Sequence, residues 1–196
     1  MEIAVIAAAY LIGSVSFAIL VSRVYALPDP RSYGSKNPGA TNVLRSGKRA
    51  AAGFTLLGDG GKGWAAVMLA QLAGPFEPWV IPMAGVAVVA GHMFPVFHRF
   101  HGGKGVATAA GVLLGFDPWL GLGTLATWLA IFVFFRVSSL AALVAAVFAP
   151  LYAGFLFGLK PLVPATLAIA LLLVWRHKEN LVRLVRGEEP GFGGKR

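Results

Sequence analysis

The 196-residue chain contains no cysteine. Disulfides, a thiolate nucleophile and cysteine-ligated metal are therefore excluded. Acidic residues are also scarce, eight against seventeen lysines and arginines. A paired-carboxylate mechanism has little to draw on. Several motifs are missing as well. No lysine completes a Walker A pattern, and there is no His-Glu-x-x-His zinc motif or Gly-x-Ser-x-Gly elbow. No histidine is followed five residues on by aspartate, so the familiar His-Asp acyltransferase dyad is absent. His98 and His101 lie three apart without a companion carboxylate or cysteine. No metal and no cofactor are expected.

What the chain does have is apolar sequence. It is 57% hydrophobic and only 13% charged, with a mean hydropathy of +0.74. That composition predicts one all-α integral membrane domain over residues 1–196. The formal net charge is +9. In a soluble protein that excess would point to nucleic acid. Here the basic residues cluster in loops between long apolar runs, so anionic lipid and an anionic substrate come first, and no nucleic-acid partner is expected. Glu2 stands where a signal peptide would be basic, so the N-terminal run reads as a first transmembrane helix.

Seven apolar segments follow one another. They are 3–21, 50–74, 78–97, 105–116, 118–135, 137–159 and a last one beginning at 161 and running into the basic tail. The fourth is short, about 18 Å of helix against a hydrocarbon core of about 30 Å. Charge decides whether it crosses. With seven crossings and a cytoplasmic first loop, fifteen of the seventeen basic residues face the cytoplasm, including Arg136 and the tail residues Arg176 to Arg196. A re-entrant fourth segment would put Arg136 and the tail outside. The positive-inside rule therefore predicts seven spans, N-terminus outside and C-terminus cytoplasmic. Asp59 and Lys62, inside the second span, read as a structural ion pair buttressing the first loop.

This topology brings three polar patches to one face. The first, residues 34–49, holds Ser35, Asn37, Gly39, Thr41, Asn42 and Arg45. Thr41 or Asn42 is placed to cap the following helix, and the Arg45 guanidinium suits phosphate oxygens. The second, residues 91–111, holds His92 within a span, then Gly102, Gly103, Lys104 and Gly105, then a small-residue helix with Thr108. Glycine turns bring N–H groups to a ligand, a helix start adds the positive end of its dipole, and Lys104 adds a full charge. The bland alternative is a solvated interhelical loop touching lipid head groups. His92 reads as a site-orienting residue. The third patch, residues 175–184, places His177 and Asn180 on one helical face. A basic stop-transfer end explains Arg176, Lys178 and Arg183 but not that pair. Ser138 and Ser139 open the sixth segment with hydroxyls.

Taken together, GSKNPGATNVLR (34–45), LGDGGKG (57–63), GHMFPVFHRFHGGKGVAT (91–108) and RHKENLVRL (176–184) closely resemble the motifs of the bacterial membrane glycerol-3-phosphate acyltransferases that use acyl phosphate. The resemblance covers nearly the whole chain. Lys36 is a departure, where the family commonly has a small residue. The resemblance implies transfer of a fatty acyl group from acyl phosphate to the sn-1 hydroxyl of glycerol 3-phosphate, giving lysophosphatidic acid and phosphate. It implies a multi-pass protein of the bacterial inner membrane with its site facing the cytoplasm. Acyl phosphate is already activated, so no acyl-enzyme is required. Ser35, Arg45, Lys104, His177 and Asn180 are then the candidate catalytic residues. Asn37, Gly39, Thr41, Asn42, His92, Gly102, Gly103, Gly105, Thr108 and Ser139 are the candidate substrate-binding residues. Within that set, Gly102, Gly103, Gly105 and Thr41 are assigned to the donor phosphate, and Arg45, Lys104, Ser35, His177 and Asn180 to glycerol 3-phosphate. Either His177 or a donor phosphate oxygen takes the hydroxyl proton, with the donor phosphate preferred. The lability of the donor makes a soluble enzyme that produces it a candidate partner. The rival reading is a transporter of a phosphorylated or anionic metabolite, supported by the half-helix-like glycine loop. Against it, the polar patches all fall on one face and no internal repeat is visible.

Overall fold

A computed structural model describes residues 1–191; the tail residues Lys195 and Arg196, counted above on the cytoplasmic side, lie outside them. The described residues form ten α-helices. They are α1 (Glu2–Ser14), α2 (Phe17–Val24), α3 (Ala40–Leu44), α4 (Arg49–Leu72), α5 (Val80–Met93), α6 (Val106–Phe116), α7 (Pro118–Phe135), α8 (Ser138–Phe157), α9 (Leu162–Arg176) and α10 (Lys178–Val185). A short 3₁₀ turn covers Val96–His98.

Four segments are long and apolar enough to cross a membrane: Glu2–Val24, Val80–His98, Pro118–Phe135 and Ser138–Phe157. Helix α6 and helix α9 are apolar but shorter, and α4 is long but carries Asp59 and Lys62 in its middle. The first apolar run is not one continuous helix as its sequence suggests. It breaks after Ser14, where Val15 adopts an extended ψ of 119° and Ser16 opens α2. The break frees the Val15 carbonyl, and the Lys62 ammonium donates to it at 2.6 Å. An unpaired carbonyl in hydrocarbon would cost several kcal/mol, so the buried lysine is what permits the break. Asp59 neutralises Lys62 at 3.0 Å, and both side chains are buried. The expected ion pair is present, but it supports the α1–α2 break and His92 rather than the first loop.

Helices α1 and α5 pack together, as do α4 with α6, α7 with α8, and α8 with α9. Between helices in lipid, close backbone approach replaces the hydrophobic effect as the driving force. The α4–α6 contact shows how close. A Cβ added to Gly111 would lie 1.9 Å from the Gly60 carbonyl oxygen, and one on Gly63 would lie 2.2 Å from that of Thr108. Asp117 caps α7 by accepting from the N–H groups of Trp119 and Leu120, with Pro118 at the first helical position. The patterned tail is not one helix with α9. His177 interrupts it with φ −99° and ψ 11°, and α10 starts at Lys178. The polar loops before α3, before α6 and after α9 converge at one end of the bundle.

Candidate active site

The first loop is held in shape by Asn42. Its Oδ1 accepts from the Ser35 N–H at 3.0 Å, and its Nδ2 donates to the Pro30 carbonyl at 2.7 Å and the Tyr33 carbonyl at 3.2 Å. Buried and fully engaged, Asn42 staples the loop. Neither it nor Thr41 caps a helix: Gly39 is the N-cap of α3, with no side-chain cap bond. A cap residue must precede the first turn, and both lie inside it. Thr41 and Arg45 are exposed. The Arg45 side chain runs along Gly34, where an added Cβ would come within 3.4 Å of its Nη1. The guanidinium therefore stands beside Ser35.

The second loop passes directly over His92. The Gly103 N–H donates to the His92 carbonyl at 3.1 Å. A Cβ on Gly102 would sit 2.1 Å from that same oxygen, and one on Gly103 would sit 2.2 Å from His92 Nε2. Only glycine fits at either position. Gly105 takes φ +82° and caps α6, accepting from the Ala109 N–H at 2.8 Å. The Gly102 and Gly103 carbonyls, which would repel an anion, are taken up by Arg176 at 2.8 and 3.2 Å. Arg176 is thus more than a stop-transfer charge. On its other side His92 meets the Lys62 ammonium at 2.9 Å.

The third element adds a relay of polar side chains. Lys104 donates to Asn180 Oδ1 at 2.5 Å. Asn180 Nδ2 donates to the Glu189 carboxylate at 2.5 Å, joined there by Ser139 Oγ at 2.7 Å and Arg183 Nε at 2.6 Å. Glu189 was not singled out in the sequence. Its signal was a lone acidic pair just after Gly187, whose φ of +70° turns the tail back. Burial raises the Glu189 pKa, but the hydrogen bonds from Ser139, Asn180 and Arg183 prevail and hold it below the usual range. His177 is buried, and its Nδ1 donates to the Leu173 carbonyl at 2.7 Å, leaving Nε2 as an acceptor. Burial pushes His177 down to about 4 and Lys104 down to about 8.

Between these elements lies a cleft of about 190 Å³, lined by Ser35, Lys36, Asn37, Gly102, Lys104, Trp175, Arg176, Lys178 and Glu179. Ser35, Asn37, Gly102 and Lys104 meet here as expected. Asn180 stands behind Lys104, reached through their hydrogen bond, and Ser139 behind Asn180 through Glu189. Gly39, Thr41 and Arg45 belong to the adjoining part of the first loop and α3, and Gly103 and Gly105 to the loop behind the wall. Thr108 is fully buried one turn into α6, against Gly63 of α4, and does not line the cleft. The sequence reading missed the cleft-lining roles of Lys36, Trp175, Lys178 and Glu179. Among the described residues, four cations and one carboxylate line the cleft, which makes it an anion site. No group of three potential ligands that could hold a metal ion occurs among the described residues.

Leu143, Val144, Val147, Phe148, Val174 and Leu181 line an apolar groove of about 280 Å³ between α8, α9 and α10, where Val174 precedes the cleft-lining Trp175 in the chain.

Residues 3–187 match the family model described as glycerol-3-phosphate acyltransferase. The chain is 60% identical over 192 residues to a glycerol-3-phosphate acyltransferase of Ralstonia nicotianae, covering 96% of this chain and 93% of that protein. It is 61% identical over 190 residues to one of Burkholderia multivorans, covering 96% and 89%. Two crystal structures of PlsY (YgiH), an integral membrane glycerol 3-phosphate acyltransferase, share the fold at 35% identity. The glycerol 3-phosphate form gives a TM-score of 0.92 over 98% of this chain and 96% of that one. The lysophosphatidic acid form gives 0.90 over 98% and 95%.

Proposed function

The chain belongs to the glycerol-3-phosphate acyltransferase family, and from that premise we propose that it moves a fatty acyl group from acyl phosphate to the sn-1 hydroxyl of glycerol 3-phosphate. The products are lysophosphatidic acid and inorganic phosphate. The observation that carries this reading is the cleft itself: cations and small polar groups around a space of phosphate size, together with an apolar groove between α8, α9 and α10. The resemblances to glycerol 3-phosphate and lysophosphatidic acid forms of PlsY support the acceptor and the product.

In the reaction, the acceptor hydroxyl attacks the acyl carbonyl and the donor phosphate leaves with the electron pair. The protein binds two phosphates side by side and orients one hydroxyl. Gly102 and Gly103, their carbonyls held away by Arg176, form the donor side with Thr41. Arg45, Lys104, Ser35 and Asn180 hold glycerol 3-phosphate. His177 is neutral at pH 7 and offers Nε2 as an acceptor, but a group at about 4 is a weak base. That supports the donor phosphate as the proton acceptor and His177 as a group that orients the hydroxyl. No acyl-enzyme forms. The acyl chain lies in the groove bounded by Val147, Phe148 and Val174.

The bundle crosses the bacterial inner membrane seven times as a single domain, with its active site and C-terminus facing the cytoplasm. The basic loops support that orientation through the positive-inside rule. A soluble enzyme that makes the donor is the partner that its lability calls for.

The test is product formation by the purified protein in lipid, supplied with palmitoyl phosphate or palmitoyl coenzyme A together with glycerol 3-phosphate. Lysophosphatidic acid should appear with the phosphate donor and fall at least about a hundredfold in Arg45→Ala and Lys104→Ala. Product formed only with the thioester donor would reject the reading.

A further inference from the structure

Lys36 occupies a position that its side chain makes costly. Its φ is +55°, in the left-handed region that glycine fills freely and a residue with a Cβ fills only under strain. Its own N–H donates to the Tyr33 carbonyl at 2.9 Å, so the turn is closed by backbone alone and makes no use of the lysine side chain. That side chain lines the cleft. Every other cation there has an identified contact: Lys104 with Asn180, Arg176 with the Gly102 and Gly103 carbonyls, Lys178 with the Trp175 ring. Among the described residues, the one carboxylate lining the cleft is Glu179. Lys36 is exposed, and no hydrogen bond or ion pair holds its ammonium among the described residues.

We propose that Lys36 is a further phosphate-binding residue of this enzyme, a flexible cation that closes on a substrate phosphate dianion entering the cleft opposite Lys104 and Arg176. A point charge on a long stem suits that task, because it needs no fixed geometry before the ligand arrives. Ser35 and Asn37 flank Lys36 along the same wall, so the three residues present one hydroxyl, one amide and one ammonium to the same phosphate. The chemistry is shared by acyl phosphate and glycerol 3-phosphate, and kinetics separates them. The inference rests on the acyltransferase reading.

The experiment compares wild type with Lys36→Gly and Lys36→Arg, measuring turnover, both KM values and the thermal midpoint in lipid. Lys36→Gly should keep or raise the thermal midpoint, because it relieves the left-handed strain. It should raise the KM for one substrate about three- to tenfold with kcat within about twofold, as expected for one lost phosphate contact in a partly solvated site. Lys36→Arg should restore most of that KM. A rise confined to palmitoyl phosphate assigns the contact to the donor, and one confined to glycerol 3-phosphate assigns it to the acceptor. Should both KM values in Lys36→Gly match those of wild type, the inference is overturned. A wild type without turnover would instead overturn the acyltransferase reading, so the two failures are distinct.

Discussion

Lys104 is the residue through which pH reaches the site. Burial lowers it from 10.5 to about 8, so above pH 8 its free form loses the charge a phosphate needs. The KM for glycerol 3-phosphate should therefore rise as pH climbs through about 8, approaching tenfold per unit beyond it. The sign for stability is opposite. Between pH 8 and 10.5 the unfolded chain holds more protons at this residue than the folded one, so Lys104 makes folding more favourable as pH rises. Arginine stays charged throughout, so Lys104→Arg should bind more weakly at pH 7 but lose the alkaline limb of the KM profile. A limb that persists unchanged in Lys104→Arg would assign it to another group. Burial lowers His177 as well, but to about 4, so it stays neutral across the working range. A His177→Ala variant should be impaired by a similar factor from pH 6 to 9. Impairment that varies across that range would place the titration of His177 within it and contradict a group held neutral there. The sequence exposed these side chains well: His177 and Asn180 stood out by spacing, and Lys104 by its glycines. It hid Glu189, because a bond from Asn180 to the tail depends on the turn at Gly187, and that turn has no periodicity to read.

At the scale of elements, the glycine loop works because it lies on α5 without a gap. Gly103→Ala would drive a methyl into the His92 ring and within 2.8 Å of the Pro38 carbonyl. We expect at least a tenfold loss of kcat/KM with an intact fold, read from turnover and thermal midpoint together. Gly111→Ala tests a different element. Its methyl would meet the Gly60 carbonyl and part α4 from α6. The expected effect is a loss of about 1–3 kcal/mol of stability, seen as a lower thermal midpoint. A midpoint equal to wild type would contradict the α4–α6 packing. Helix existence was legible from apolar runs, and the short α6 was read within one residue. Two breaks were not. The interruption at Val15 follows only Gly13, which packs against the Val88 backbone instead of turning with a positive φ, and the one at His177 lies in a helical pattern without proline or glycine punctuation. The first depends on a lysine 47 positions away, which no local signal reports.

For the whole molecule, the arrangement of loops is what brings distant polar residues together. It gathers the first loop, the glycine loop and the tail at one end of the bundle. The proposed orientation is open to direct measurement, because the chain has no native cysteine. Single cysteines at Lys48, Arg136 and Glu188 should resist a membrane-impermeant thiol reagent added to intact cells, and one at Lys160 should react. Labelling of Arg136→Cys from outside would place α6 differently. The charge clusters are what carries the topology reading, and that labelling tests it. The three patches were expected on one face, but nothing in the sequence singled out Lys36, Arg176 and Lys178 within them as the cations that line the cleft.

The central claim is direct transfer between two bound phosphates, without a covalent intermediate. Rapid-mixing measurement of phosphate release from palmitoyl phosphate, with and without glycerol 3-phosphate, tests it most directly. The account predicts release only when glycerol 3-phosphate is present, in step with lysophosphatidic acid. A stoichiometric burst of phosphate without the acceptor would reveal an acyl-enzyme and contradict it.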